Sequence, residues 1–189
     1  MTAPRAVVIG ASAGAVQALS ELLPALPADY RLPVLVVVHV PADRSNFLAP
    51  LFQHKCRIAV REAEDKEPIA PATVYFAPAD YHLMVEDDAT LSLSNDVPVH
   101  YSRPSIDVLF ESAADAYGPE VIGIILTGAN ADGAQGLRAI VDAGGVAIVE
   151  TPDGAYADAM PRAAINLCPS ASVLPLEAIA SHLVKAGES

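Results

Sequence analysis

Residues 6–14, Ala6-Val7-Val8-Ile9-Gly10-Ala11-Ser12-Ala13-Gly14, decide how the chain folds. Ala6 to Ile9 is a short apolar run that reads as a strand. From Gly14 to Leu23 the period changes, with Ala18, Leu19, Leu22 and Leu23 at helical spacing. Pro24 and Pro27 then stop the helix. A strand, a glycine-bearing turn and an amphipathic helix form the opening of a unit that continues into a parallel sheet.

The rest of the chain repeats the alternation. Pro33 to Val38 is apolar at almost every position, as expected of a central parallel strand covered on both faces. A helix from about Ser45 to Gln53 and a short strand near Arg57 to Val60 follow, then a polar, proline-bearing stretch from Glu62 to Pro71. Thr73 to Phe76, Tyr81 to Val85 and Thr90 to Leu93 read as alternating strands. Glu86-Asp87-Asp88 supplies turn chemistry between the last two, which predicts an antiparallel hairpin. Ser105 to Tyr117 reads as a helix, Val121 to Leu126 as a buried strand, Asp132 to Ala143 as a helix, Val146 to Val149 as a strand and Glu177 to Lys185 as a closing helix. The expected fold is α/β: a doubly wound, mostly parallel sheet with helices on both faces and an additional antiparallel β-hairpin. Residues 1–189 are expected to form a single domain.

Composition narrows the function classes. With 52% hydrophobic and 18% charged residues, the chain is globular rather than disordered. Its apolar runs are far shorter than the roughly 20 residues that cross a bilayer, and the N-terminus has no secretory signal pattern. A cytoplasmic location without membrane insertion is expected. The net charge of -12 and scattered arginines argue against nucleic acid. Cys56 and Cys168 are far apart and outside any metal-binding spacing, so no disulfide, metal or other cofactor is expected.

In open parallel sheets the functional crevice lies beyond the carboxyl ends of the strands. The first strand ends in Gly10-Ala11-Ser12-Ala13-Gly14, which fits the G-x-S-x-G turn that exposes a nucleophilic serine. A dinucleotide-binding turn or a plain tight connection is an equal alternative for this loop alone. Against the dinucleotide, Ser12 replaces the second glycine of G-x-G-x-x-G and His39 stands where an acidic ribose-binding residue belongs. His39 ends the next buried strand and offers a base for Ser12, although a histidine there is more often a packing residue. His82 and His100, in loops, stay open as alternatives. Asp132, after the strand ending at Leu126, could orient His39. On its own it reads as a helix N-cap. Three strand ends supplying three complementary groups favour acyl transfer. The order Ser, His, Asp differs from the orders of the α/β-hydrolases, chymotrypsin and subtilisin.

With these residues in place, the sequence resembles the catalytic domain of the chemotaxis protein-glutamate methylesterases (CheB type). The resemblance runs from Val7 to about Ile165. It is carried by residues 9–14, Val38-His39-Val40-Pro41, Glu62-Ala63-Glu64-Asp65, Tyr75-Phe76-Ala77-Pro78 with Asp80 and His82, residues 103–110, Leu126-Thr127-Gly128 with Asp132-Gly133, and Met160-Pro161-Arg162-Ala163-Ala164-Ile165. It implies hydrolysis of glutamyl methyl esters on the cytoplasmic domain of methyl-accepting chemoreceptors, with glutamine deamidation as a side activity. Ser12 would be nucleophile, His39 general base and then acid, and Asp132 its orienting partner. Backbone N–H groups near Ala13 and Ala129 would form the oxyanion hole.

The sequence departs from the family pattern where Ala13 and Ala15 replace Thr and Gly, and where Ala129-Asn130 replaces Met-Gly. The first catalytic strand begins within a few residues of Met1, so control by a phosphorylated receiver domain in cis is not expected, leaving constitutive action or a separate regulatory protein. Two alternatives remain at this stage: an esterase or amidase of the same mechanism with another acyl substrate, and a non-catalytic module of a chemosensory complex. For the segments around Arg103-Pro104-Ser105, Asp107 and Asp80, helix-start and turn roles are the expected ones.

Overall fold

In the computed structural model, residues 2–41 and 47–189 are described. The strands are β1 (Ala6–Ala11), β2 (Val34–Val38), β3 (Ala59–Glu62), β4 (Thr73–Phe76), β5 (His82–Val85), β6 (Leu91–Ser94), β7 (Val121–Ile125), β8 (Val146–Glu150) and β9 (Ser172–Leu174). The helices are α1 (Ala15–Leu22), α2 (Leu48–Gln53), α3 (Ile106–Tyr117), α4 (Ala134–Asp142), α5 (Ala159–Leu167) and α6 (Leu176–Ala186). Seven strands form one sheet in the order β3-β4-β2-β1-β7-β8-β9, with every pairing parallel. β5 and β6 form a separate antiparallel pair, as the turn at residues 86–88 predicts.

The period of two in each strand divides the core into two layers. Val7, Ile9, Val34 and Val36 face α1, α2 and α6, where they meet Leu19, Leu22, Phe52, Ile179 and Leu183. Val8, Leu35, Val37 and Ile125 face the opposite layer, built from α3, α4, α5 and the hairpin through Phe110, Leu137, Met160 and Leu83. Burial on both faces explains why β1, β2 and β7 read as unbroken apolar runs.

Several boundaries move. The first helix stops at Leu22, and Leu23–Ala25 continues as a 3₁₀ turn that accommodates Pro24. The helix expected from Ser45 begins, within the described residues, at Leu48; residues 45 and 46 lie outside them. Thr73 to Phe76 does not alternate: all four residues are buried in a parallel strand between β3 and β2. β9 and α5 were not expected as elements. β9 has three residues, two of them exposed, so it carries no hydrophobic signal. In α5 the internal Pro161 sits in the first turn, where its missing N–H costs no helical bond.

α3 and α4 approach closely at Gly136. A Cβ there would lie 2.6 Å from the Phe110 Cβ and 3.0 Å from the Asp107 Cα, so main chain would have to move. Alanine is favoured over glycine inside a helix by about 1 kcal/mol, but forcing packed elements apart costs about 1–3 kcal/mol. Gly136→Ala is therefore expected to lower stability, by up to about 2 kcal/mol. A denaturant midpoint equal to or above wild type would contradict the close approach.

Candidate active site

The chain runs from β1 to β2 on one side and later returns to β7 on the other, so the winding direction switches at β1. Ligand crevices form at such switch points, outside the carboxyl ends of the strands. Here β2, β1 and β7 are neighbours, and the loops that follow them carry His39, Ser12 and Asp132. The ladder continues past the strand ends: the Leu126 N–H donates to the Gly10 carbonyl, the His39 N–H to the Ala11 carbonyl and the Ser12 N–H to the Thr127 carbonyl, at 2.9, 3.2 and 2.9 Å. These bonds fix the backbones of the three loops against one another.

His39 Nε2 lies 2.7 Å from Asp132 Oδ2, and the Asp132 carboxylate is fully buried. Because a carboxylate only accepts, Nε2 carries the proton of the neutral ring and Nδ1 holds the lone pair. Asn130 Oδ1 accepts the Asp132 N–H at 3.0 Å, which orients the amide so that Nδ2 donates to His39 Nδ1 at 3.3 Å. The imidazole is thus fixed in tautomer and in plane, with Nδ1 as its basic nitrogen.

Asp132 precedes α4 but does not cap it. The cap position is Gly133, at φ 97°, with no side-chain hydrogen bond. The Asp132 carboxylate instead reaches the start of α3, accepting from the Ile106 N–H at 2.7 Å, the Asp107 N–H at 3.0 Å and the Ser105 hydroxyl at 2.9 Å. Asp107, in the first turn of α3, returns the contact by accepting the Gly133 and Gly136 N–H groups of α4 at 3.0 and 2.7 Å. Each helix start is neutralised by a carboxylate from the other's neighbourhood, where the helix dipole favours negative charge.

Burial alone would push the Asp132 carboxyl up. The His39 ring and the Ile106 and Asp107 N–H groups outweigh it and hold the carboxyl below its ordinary value. For Asp107 burial dominates and the carboxyl is raised, despite the Gly136 and Gly133 N–H groups and His100.

Ser12 is half-buried at the end of β1, immediately before α1. Gly14 caps that helix at φ 85°, and a Cβ there would lie 2.5 Å from the Tyr156 Cβ, so the turn after Ser12 requires glycine twice over. The Ala13 and Ala129 N–H groups donate no backbone hydrogen bond among the described residues. Beside His39, a pocket of about 290 Å³ is lined by Val40, Pro41, Tyr101, Ser102, Arg103 and Pro104. A larger surface groove of about 800 Å³, between α1 and α6, lies away from these groups.

The open alternatives resolve into structural roles. His82 is buried, accepting the Ser105 N–H at Nδ1 and lying 3.0 Å from the Val97 carbonyl at Nε2. His100 pairs with Asp107 at 3.2 Å. Arg103 is bound to Asp80 and to the Asn95 and Asp96 carbonyls, which anchors the approach to α3. The sequence reading missed Asn130 and Ser105 as partners of His39 and Asp132. Their types, polar residues close to a candidate site residue or at a helix start, were the only signal.

The family model described as CheB methylesterase matches residues 7–183. A protein of Leptospira interrogans, provisionally named protein-glutamate methylesterase/protein-glutamine glutaminase, is 45% identical over 95% of this chain and 93% of its own length. The protein-glutamate methylesterase/protein-glutamine glutaminase of Symbiobacterium thermophilum is 37% identical over 96% of this chain, which spans 50% of that relative. The crystal structure of the Thermotoga maritima CheB methylesterase catalytic domain superposes with a TM-score of 0.92 at 31% identity, covering 97% of this chain and 99% of that one.

Removing the Asp132 carboxylate leaves two main-chain donors and a hydroxyl buried without an acceptor. Asp132→Ala is expected to cost about 3–5 kcal/mol of stability. Because folding lowers this carboxyl, its contribution is fully present above the unfolded-state value and is lost as pH falls through the folded one. The stability gap between wild type and Asp132→Asn should therefore be widest near about pH 7 and narrow towards about pH 3. Urea unfolding at both pH values checks this, and a gap independent of pH would contradict it.

Proposed function

This chain belongs to the CheB methylesterase family, and from that premise we propose that it hydrolyses glutamyl methyl esters through Ser12, His39 and Asp132. The observation that carries the reading is the His39–Asp132 hydrogen bond of 2.7 Å, reaching over the end of β1 where Ser12 lies. A serine hydroxyl is scarcely ionised at neutral pH and needs a base with a fixed, available lone pair. His39 Nδ1 is that lone pair, and Ser12 takes the place of Asn130 as its partner when substrate enters.

The steps follow from the proton positions. Ser12 Oγ forms a bond to the ester carbonyl carbon while its proton passes to His39 Nδ1. Asp132 stabilises the resulting imidazolium through Nε2–H without itself becoming protonated. The carbonyl oxygen becomes an oxyanion, for which the uncommitted Ala13 and Ala129 N–H groups are the donors. Collapse breaks the bond to the methoxy oxygen, which leaves as methanol with the proton from Nδ1. Water then attacks the glutamyl–Ser12 ester, gives its proton to Nδ1 and releases the free carboxylate. For a glutamine side chain the same sequence expels ammonia, in keeping with the double name carried by the relatives.

The family resemblance supports the cytoplasmic domain of a methyl-accepting chemoreceptor as the substrate protein, a cytoplasmic location and residues 1–189 as one methylesterase domain. No helix among the described residues is long and apolar enough to cross a membrane. Nucleic acid does not fit its charge of -12.

Purified protein is expected to release methanol from methylated receptor. Ser12→Ala should lower the rate at least about a thousandfold while leaving the circular dichroism spectrum unchanged. Undiminished release would remove Ser12 from the mechanism, and binding without release by wild type would favour a non-catalytic module.

A further inference from the structure

We propose that Thr127 and Glu150 are positioning residues for the nucleophile, holding the Ser12–Ala13 backbone in the geometry that attack and oxyanion binding require. The inference rests on Ser12 being the nucleophile. It concerns two buried polar residues on the far side of the loop from His39 and Asp132, neither of which those steps use.

Thr127 is the second residue after β7 and is 1% exposed. Its carbonyl accepts the Ser12 N–H at 2.9 Å. Its hydroxyl donates to the Ala13 carbonyl at 2.7 Å and accepts the Ala157 N–H at 2.9 Å. One side chain therefore binds the loop after β1 and the loop leading into α5. Gripping the Ser12 N–H and the Ala13 C=O leaves little freedom to the peptide between them, whose N–H is the Ala13 oxyanion donor. Small displacements of such a donor or of Oγ lower the rate steeply, because reacting atoms must stay close to their attack geometry.

Glu150 ends β8 and is 2% exposed. The Thr127 N–H is held by a side chain rather than by the strand ladder: Glu150 Oε2 accepts it at 2.8 Å. A buried carboxylate costs more in desolvation than one hydrogen bond to a main-chain amide restores. Burial first, then the Glu21 charge, push this carboxyl up, with the Thr127 N–H pulling the other way between them in size. An apolar residue there would leave the buried Thr127 N–H without an acceptor, so the role of the acid is to hold Thr127 in place.

The test is steady-state hydrolysis of methylated receptor and of p-nitrophenyl acetate by paired variants. Thr127→Val keeps the shape and loses the hydroxyl, and it should lower kcat about 100-fold on both substrates while KM stays within about twofold. Thr127→Ser restores the hydroxyl and should recover most of the rate. Glu150→Leu should behave like Thr127→Val, and Glu150→Gln, which keeps an acceptor, like wild type. If Thr127→Val fails to fold, Glu150→Leu carries the test alone, since the Thr127 hydroxyl is intact in it. A folded Thr127→Val or Glu150→Leu with wild-type kcat, or a loss that Thr127→Ser and Glu150→Gln do not rescue, overturns the positioning role. Ser12→Ala in the same assay separates the two levels: inactivity there with active Thr127→Val refutes only the positioning, whereas an active Ser12→Ala refutes the nucleophile itself.

Discussion

The Asp132 carboxylate accepts from four donors, two of them main-chain N–H groups at the start of α3, one the Ser105 hydroxyl and one the His39 ring. It thereby joins the fold and the site directly. The α3 contacts neutralise a helix start and keep the carboxyl ionised in a buried position, and ionisation is what lets it fix the imidazole tautomer. Asp107 completes the arrangement from the other direction by holding the start of α4, the helix that Asp132 precedes. The two helices exchange carboxylates across a contact that only glycine at position 136 permits. The packing of α3 on α4 and the orientation of His39 are consequently one structural fact.

The sheet order makes the convergence possible. Ser12, His39 and Asp132 are up to 120 residues apart, yet β2, β1 and β7 are adjacent, and each carries its residue out of the same edge. The reversal of winding at β1 leaves a crevice there that crossover helices do not fill. Around Ser12, two independent supports meet. In the proposed mechanism His39 and Asp132 govern where its proton goes. Thr127, backed by Glu150, bonds the backbone on either side of it, the contact proposed to position the nucleophile. Evidence for the first is a charge-assisted hydrogen bond. Evidence for the second is a network of buried main-chain contacts.

Much of this was legible in the sequence because it rests on local signals. Burial on both faces makes β1, β2 and β7 continuous apolar runs, and the glycines around Ser12 mark a turn that only glycine can complete. The hairpin announces itself in Glu86-Asp87-Asp88. What sequence could not give is non-local. Asp132 reads as the cap of its own helix, and nothing in its neighbourhood shows that it caps another. Asn130 and Ser105 have no distinctive spacing to His39 or Asp132, and their roles arise only when segments 91 and 27 residues apart meet. β9 is invisible because a three-residue, largely exposed edge strand has no pattern to read. β4 shows the opposite failure: alternation was expected of a strand whose two faces are both covered.

The most direct measurement is the reaction of the purified protein with a fluorophosphonate, followed by mass analysis of the modified peptide. If His39, oriented by Asp132, activates Ser12, a single adduct forms on Ser12, and its rate falls at least about 100-fold in His39→Ala. An adduct on another residue, or labelling of Ser12 at the same rate without the imidazole, would contradict the account.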